Sequence, residues 1–265
     1  MNQNWIVENL NNAFSTWNGK LGELWGLVTT GPQTFKGGAV WSVMQTLHNG
    51  MVGIGYALVV LFFAISLCKN TMNFHELKRP EAAIHYFLRF VAAKALVGYG
   101  MDIMLNVFSI CNGIVTDMAD SMGGISEAMV SLPAEMQTAI ENVGFLASLF
   151  ITVLSFVMIL TVYGRFFRLY MYTALAPLPL AAFAGESTQS VGISFLKSYV
   201  GVCLEGAVIV LACVIYSAFV STPTVASGEA TTIVWSYLAE TVFNMLVLVG
   251  LIKGSDRIIH EMMGL

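Results

Sequence analysis

Charge is what this sequence has least of. Only 11% of its residues are charged, against roughly 25% in an average soluble domain. Asp, Glu, Lys and Arg are all absent from Gly37 to Cys68, and again from Asn142 to Gly164. Either gap is long enough for a transmembrane helix, which needs about 20 apolar residues to cross ~30 Å of hydrocarbon. With 57% hydrophobic residues and a mean hydropathy of +0.74, the 265 residues leave no room for a large soluble domain. Catalytic and metal-binding patterns are missing as well. There is no Walker loop, GxSxG, HExxH, Ser/His/Asp set or dinucleotide fingerprint. Cys68, Cys111, Cys203 and Cys213 form no CxxC pair and read as small apolar residues. His48, His75, His85 and His260 are scattered. A non-enzymatic protein with no metal and no cofactor is therefore expected. Met1–Leu10 lacks a basic stretch followed by an apolar run and a cleavage site, so no removable signal peptide is expected.

What is present is helical period. At 100° per residue, Ile6, Leu10, Phe14, Trp17, Leu21, Leu24, Trp25 and Val28 share one arc, with Asn4, Glu8, Asn11, Ser15, Asn18 and Gly22 opposite. This predicts an amphipathic helix over residues 1–30, ended by Thr30-Gly31-Pro32, within an outside interfacial segment over residues 1–38. Its amide-rich polar face suits a helix lying in the interface or against partner subunits, with tryptophans at headgroup depth. Downstream, an all-α polytopic bundle is predicted over residues 39–255, with five spans at 47–67, 95–116, 142–164, 198–219 and 231–252. Pro80 suits the first turn of a helix, and residues 81–94 read as interfacial.

Lys and Arg mark cytoplasmic loops. Ten of the twelve basic residues fall on one side of this plan: Lys69, Lys78, Arg79, Arg89, Lys94, Arg165, Arg168, Lys197, Lys253 and Arg257. The acidic stretch 117–141 falls on the other. The plan places the N-terminus outside and the C-terminus inside, with a cytoplasmic loop at 69–94, an outside loop at 117–141 and a short cytoplasmic tail at 256–265. The apolar stretch Leu169–Gly185 carries Pro177 and Pro179, which break a helix. The charge rule makes residues 169–196 a re-entrant segment on the cytoplasmic side. Six crossings, with a kinked fourth helix, is the alternative.

Three carboxylates, Asp102, Glu205 and Glu240, fall within spans, and no basic residue is expected deep enough to pair with them. Each costs about 2.5–3.5 kcal/mol if charged and facing lipid. They read either as a wet cavity or pore wall, or as neutral groups bonded to neighbouring helices or to other subunits. Gly53, Gly55, Gly98, Gly100, Gly201 and Gly206 read as sites of close helix approach.

The segment RFFRLYMYTALAPLPLAAFAG at Arg165–Gly185, followed by SYVGVCLEGAVIVLACVIY, resembles the TrbL family of polytopic subunits of conjugation and type IV secretion channels. The LAPL turn after a basic-aromatic helix end carries most of the likeness, which spans residues 40–255. Two features depart from the family pattern. Phe195 and Tyr199 stand where many members have a Trp, and the outside loop is short. The resemblance implies a ring-like homo-oligomer in the bacterial cytoplasmic membrane, partnered by other secretion-channel subunits. It also implies a role in moving a DNA–protein substrate. The alternative from the residues themselves is a secondary transporter, in which broken helices and intramembrane carboxylates bind a coupling ion. The absence of an internal repeat argues against it.

Overall fold

The computed structural model describes residues 3–71, 80–121, 129–133, 143–220 and 230–264. Among them there is no strand. The elements are α1 (Gln3–Thr29), α2 (Ala39–Thr71), α3 (Pro80–Gly98), α4 (Gly100–Ser121), α5 (Val143–Leu175), a short α6 (Pro177–Ala181), α7 (Gln189–Val220) and α8 (Ala230–Met263). Four of these stretches are long and apolar enough to cross a membrane: Phe35–Lys69, Gly144–Leu175, Gln189–Val220 and Thr232–Met263. With α3 and α4 counted as one broken span, there are up to five. The protein is thus an all-α polytopic membrane helix bundle, as its hydropathy predicts.

Three boundaries differ from the sequence reading. The span predicted over 95–116 is not one helix, because α3 and α4 meet at a bend of 73°. Gly98 and Gly100 flank the bend, and neither could carry a side chain unchanged. A Cβ on Gly98 would lie 2.7 Å from Tyr56 Oη, and one on Gly100 would lie 3.2 Å from Leu180 Cδ1. The span predicted to stop at Arg165 instead runs on to Leu175, because aromatic and apolar residues from Phe166 to Leu175 continue the helix until proline intervenes. At 1.5 Å per residue α5 is ~50 Å long, longer than the hydrocarbon is thick. Residues 169–196 are accordingly shared among the end of α5, the α6 turn and the start of α7.

The outward faces of α2, α5 and α8 are apolar. Val43, Leu47, Ile54, Val60 and Leu61 on α2, Leu149, Phe150, Val153, Phe156 and Leu160 on α5, and Trp235, Phe243 and Leu246 on α8 are all exposed. Runs of this kind on long helices are lipid-facing surface.

The chain divides into two compact units. The first comprises Met1–Thr30, Gly113–Arg165 and Glu205–Ile258. Its core takes in the predicted stripe of α1: Ile6, Leu10, Phe14, Trp17, Leu21, Leu24 and Val28 are at most 3% exposed. Trp5 stacks on Phe145 of α5 at 5.6 Å, and Trp17 meets Tyr216 of α7 at 6.0 Å. The stripe is therefore covered by this chain itself, not by partner subunits. Of the three tryptophans of α1, Trp17 is a core residue, while Trp5 and Trp25 keep exposed surface.

The second unit comprises Gly31–Asn112, Phe166–Leu204 and Ile259–Leu265. Val59, Ala93, Val97, Met104, Phe108, Leu169, Leu180 and Tyr199 are among the residues of its core. The Tyr199 hydroxyl donates to Met104 O at 2.8 Å, which satisfies the one polar atom of that buried ring.

Candidate functional site

The proline break in the second unit has a built partner. In an α-helix the carbonyl of Thr173 would accept from the N–H of residue 177, but Pro177 has none. His48 on α2 supplies the missing donor, with Nδ1 2.7 Å from Thr173 O. A carbonyl only accepts, so Nδ1 carries a proton. The ring is 2% exposed. Gly55 lets α2 come this close, since a Cβ there would lie 2.9 Å from Pro177 O and 3.0 Å from Pro177 Cβ. Pro179 removes a second donor, and regular bonding resumes with Leu180 N to Ala176 O at 3.1 Å. Past Ala181 the chain makes a 3-10 turn, Ala182–Ala184, and an extended Gly185 packed near Phe62 O. Pro177 and Pro179 thus sit in a packed connection between α5 and α7. Nothing in the residue pattern marks His48, because its partner is 125 residues away.

In the first unit, Glu205 on α7 is 1% exposed and accepts from Ser255 Oγ of α8 at 3.0 Å. Arg165 of α5 is 0% exposed. Its guanidinium lies against α7 at the next residue, where a Cβ on Gly206 would be 2.8 Å from both Nη1 and Nη2. Arg165 of α5 thus reaches α7 at Gly206, the residue after the buried Glu205. Gly206 is the small residue that makes room.

Glu240 on α8 is half-buried and borders a cavity of about 310 Å³, with Ser131, Tyr237, Thr241 and Asn244. The segment over residues 129–133 closes one side and is pinned at two points. The Asn18 amide donates to Val130 O at 2.8 Å and accepts from Val130 N at 3.0 Å. The Tyr237 hydroxyl donates to Ser131 O at 2.7 Å. Glu23 of α1 accepts from Tyr163 Oη at 2.9 Å and from Lys20 Nζ at 2.6 Å.

Asp102 belongs to the second unit and is exposed in the first turn of α4. It borders a cavity of about 570 Å³ with Gly31, Pro32, Gln33, Asn106, Ser109 and Asn112.

Of the predicted basic residues, Lys69 and Lys94 are exposed, and Arg89 and Arg168 are half-buried. Arg89 donates to Gln189 Oε1 at 3.1 Å and lies 3.9 Å from Glu186 Oε2. Lys78 and Arg79 lie outside the described residues, as does most of the acidic stretch 117–141. Four of the six glycines picked for close approach besides Gly53 and Gly201 have already been placed against a neighbour. Gly201 faces Ile259 Cγ2 at 2.9 Å, and Gly53 has nothing within 4 Å. Among the described residues no three His, Cys, Asp or Glu side chains cluster as metal ligands, and no cysteine is in a disulfide. Cys68 is exposed, so the reading of all four cysteines as buried residues holds for the other three.

No curated protein and no solved structure matches this chain. A family model does, described as TrbL/VirB6 plasmid conjugal transfer like protein, and it covers residues 17–177. The match takes in the C-terminal part of α1 from Trp17 on, all of α2 to α5 and the first proline of the break. It covers more than half of the chain, which therefore belongs to the TrbL/VirB6 plasmid conjugal transfer-like family.

Proposed function

We propose that this protein is a non-enzymatic channel or scaffold subunit of a conjugative type IV secretion apparatus in the bacterial cytoplasmic membrane. It assembles as a ring of copies with other channel subunits and helps a DNA–protein substrate across. The family match over residues 17–177 carries this reading, and the apolar outward faces of α2, α5 and α8 support it. The one-sided placement of Lys and Arg supports an outside N-terminus and an inside C-terminus. On that layout the α5–α7 connection with Pro177 and Pro179 lies on the cytoplasmic side. Arg165, Glu205 and Ser255 hold α5, α7 and α8 in register as a packed polar lock, while Asp102 and Glu240 border cavities. A marked deletion in the cell that carries the apparatus, complemented by the intact chain, tests the reading. Transfer frequency should fall to background and return on complementation. Undiminished transfer from the deletion strain would overturn it.

A further inference from the structure

α4 is built the opposite way from α2, α5 and α8. Its apolar residues Met104, Phe108, Cys111, Val115 and Ala119, spaced four, three, four and four apart, are at most 6% exposed. They turn into the protein. Its polar residues Asp102, Asn106 and Ser109 turn out and are exposed, and all three fall within a 60° arc at 100° per residue. Extending that arc along the helix reaches Asp120, also exposed. Facing hydrocarbon, a charged Asp102 alone would cost about 2.5–3.5 kcal/mol near the bilayer centre. Lipid covers the valines and leucines of α2 and α5, and it would cover this polar face only at such a cost.

The wall beside the face is rigid. The turn Gly31-Pro32-Gln33 borders the same cavity of about 570 Å³. The Tyr170 hydroxyl anchors it by donating to Pro32 O at 2.8 Å, and Phe35 just beyond it stacks on Phe166 at 4.1 Å. The face also has one sign of charge. No Lys or Arg occurs between Met101 and Gly164.

We infer that the Asp102–Asn106–Ser109 face of α4 walls an aqueous passage between copies of this chain. The passage prefers cations, and so suits polypeptide segments better than a bare nucleic-acid strand. The inference rests on reading the chain as a membrane-spanning secretion subunit, and it adds which face meets water and what that face admits. A fixed carboxylate in a narrow passage of low dielectric attracts cations and repels a polyanion. Carboxamides and hydroxyls, which both donate and accept, serve a polypeptide backbone without fixing its sequence.

Single cysteines test this in membranes carrying the assembled apparatus, with Cys68→Ser as background because Cys68 is the exposed native thiol. N106C and S109C probe the face, and L149C and V153C on the apolar face of α5 are controls. The probes are a cationic and an anionic membrane-impermeant methanethiosulfonate. N106C and S109C should be modified and the controls should not. The cationic reagent should react severalfold faster than the anionic one, and adding D102N should remove most of that preference. If both face positions are as unreactive as the controls, the passage is refuted. Equal rates for the two reagents would refute its charge preference. Two independent positions guard against one variant misfolding. Transfer frequency is scored separately, so loss of the conjugation reading would show in the deletion strain and not in the labelling.

Discussion

His48 Nδ1 and Thr173 O lie 2.7 Å apart, and this bond replaces the one that Pro177 deletes from its own helix. A proline break at membrane depth strands a carbonyl that water cannot reach. Such breaks are tolerated where another group satisfies the freed backbone. Here that group comes from α2, and the same helix carries Gly55, whose lack of a side chain lets Pro177 approach.

The pair makes a double-mutant cycle decisive. H48A leaves a buried acceptor without its donor and should lower stability by about 1–3 kcal/mol. P177A restores an N–H at residue 177. In that background H48A should cost about 1 kcal/mol less, a coupling typical of residues in contact. Thermal unfolding of the purified protein in detergent measures both.

Two glycines two residues apart on α2 should respond oppositely to alanine. G55A drives a Cβ to 2.9 Å from Pro177 O and from Val97 Cγ1, and backbone in a packed turn cannot move aside. It should destabilise by roughly 1–3 kcal/mol. At Gly53 nothing lies within 4 Å, so G53A should be neutral or stabilising by up to about 1 kcal/mol, the helix-propensity difference between Gly and Ala. Detergent melting temperatures of the two variants provide the comparison.

Arg165 and Glu205 should behave as a unit. Removing one charge and leaving the other buried costs about 3–5 kcal/mol, so R165M and E205Q should each reduce the amount of folded protein in the membrane. The double variant should recover much of the loss. Size-exclusion profiles of detergent extracts read this out, and additive losses would contradict it.

Asn18 uses both ends of its amide on Val130. N18A should release the segment over residues 129–133 and speed its cleavage in limited proteolysis, with α1 otherwise intact. N18D keeps an acceptor for Val130 N and loses the donor to Val130 O, so it should lie between the two.

What could be read from the residues was whatever depends on neighbours in sequence. The α1 stripe followed from 3.6-residue periodicity, and seven of its eight members are buried, Trp25 being half-exposed at the edge of the arc. The long apolar runs located α2, α5, α7 and α8. What could not be read depends on distant partners. Arg165 looked like the end of a span because an Arg usually marks one. Only the packing of α7 at Gly206 makes room for it inside. The bend between α3 and α4 was missed because Gly98 and Gly100 read equally well as packing glycines, and they are that too. The polar arc of α4 lay open in the sequence, but Asp102 was read as an isolated intrusion into an apolar span. The residues place the family likeness over 40–255, carried mostly by Arg165–Gly185, whereas the matching region runs from Trp17 to Pro177.

The central claim is that α5 and α7 are joined on the cytoplasmic side by the proline-broken turn. Ser187 is exposed in that connection, and labelling of S187C in a Cys68→Ser background with a membrane-impermeant thiol reagent tests the claim most directly. The account predicts labelling only after the membrane is permeabilised. Labelling from outside intact cells would place the turn on the other face and contradict the topology.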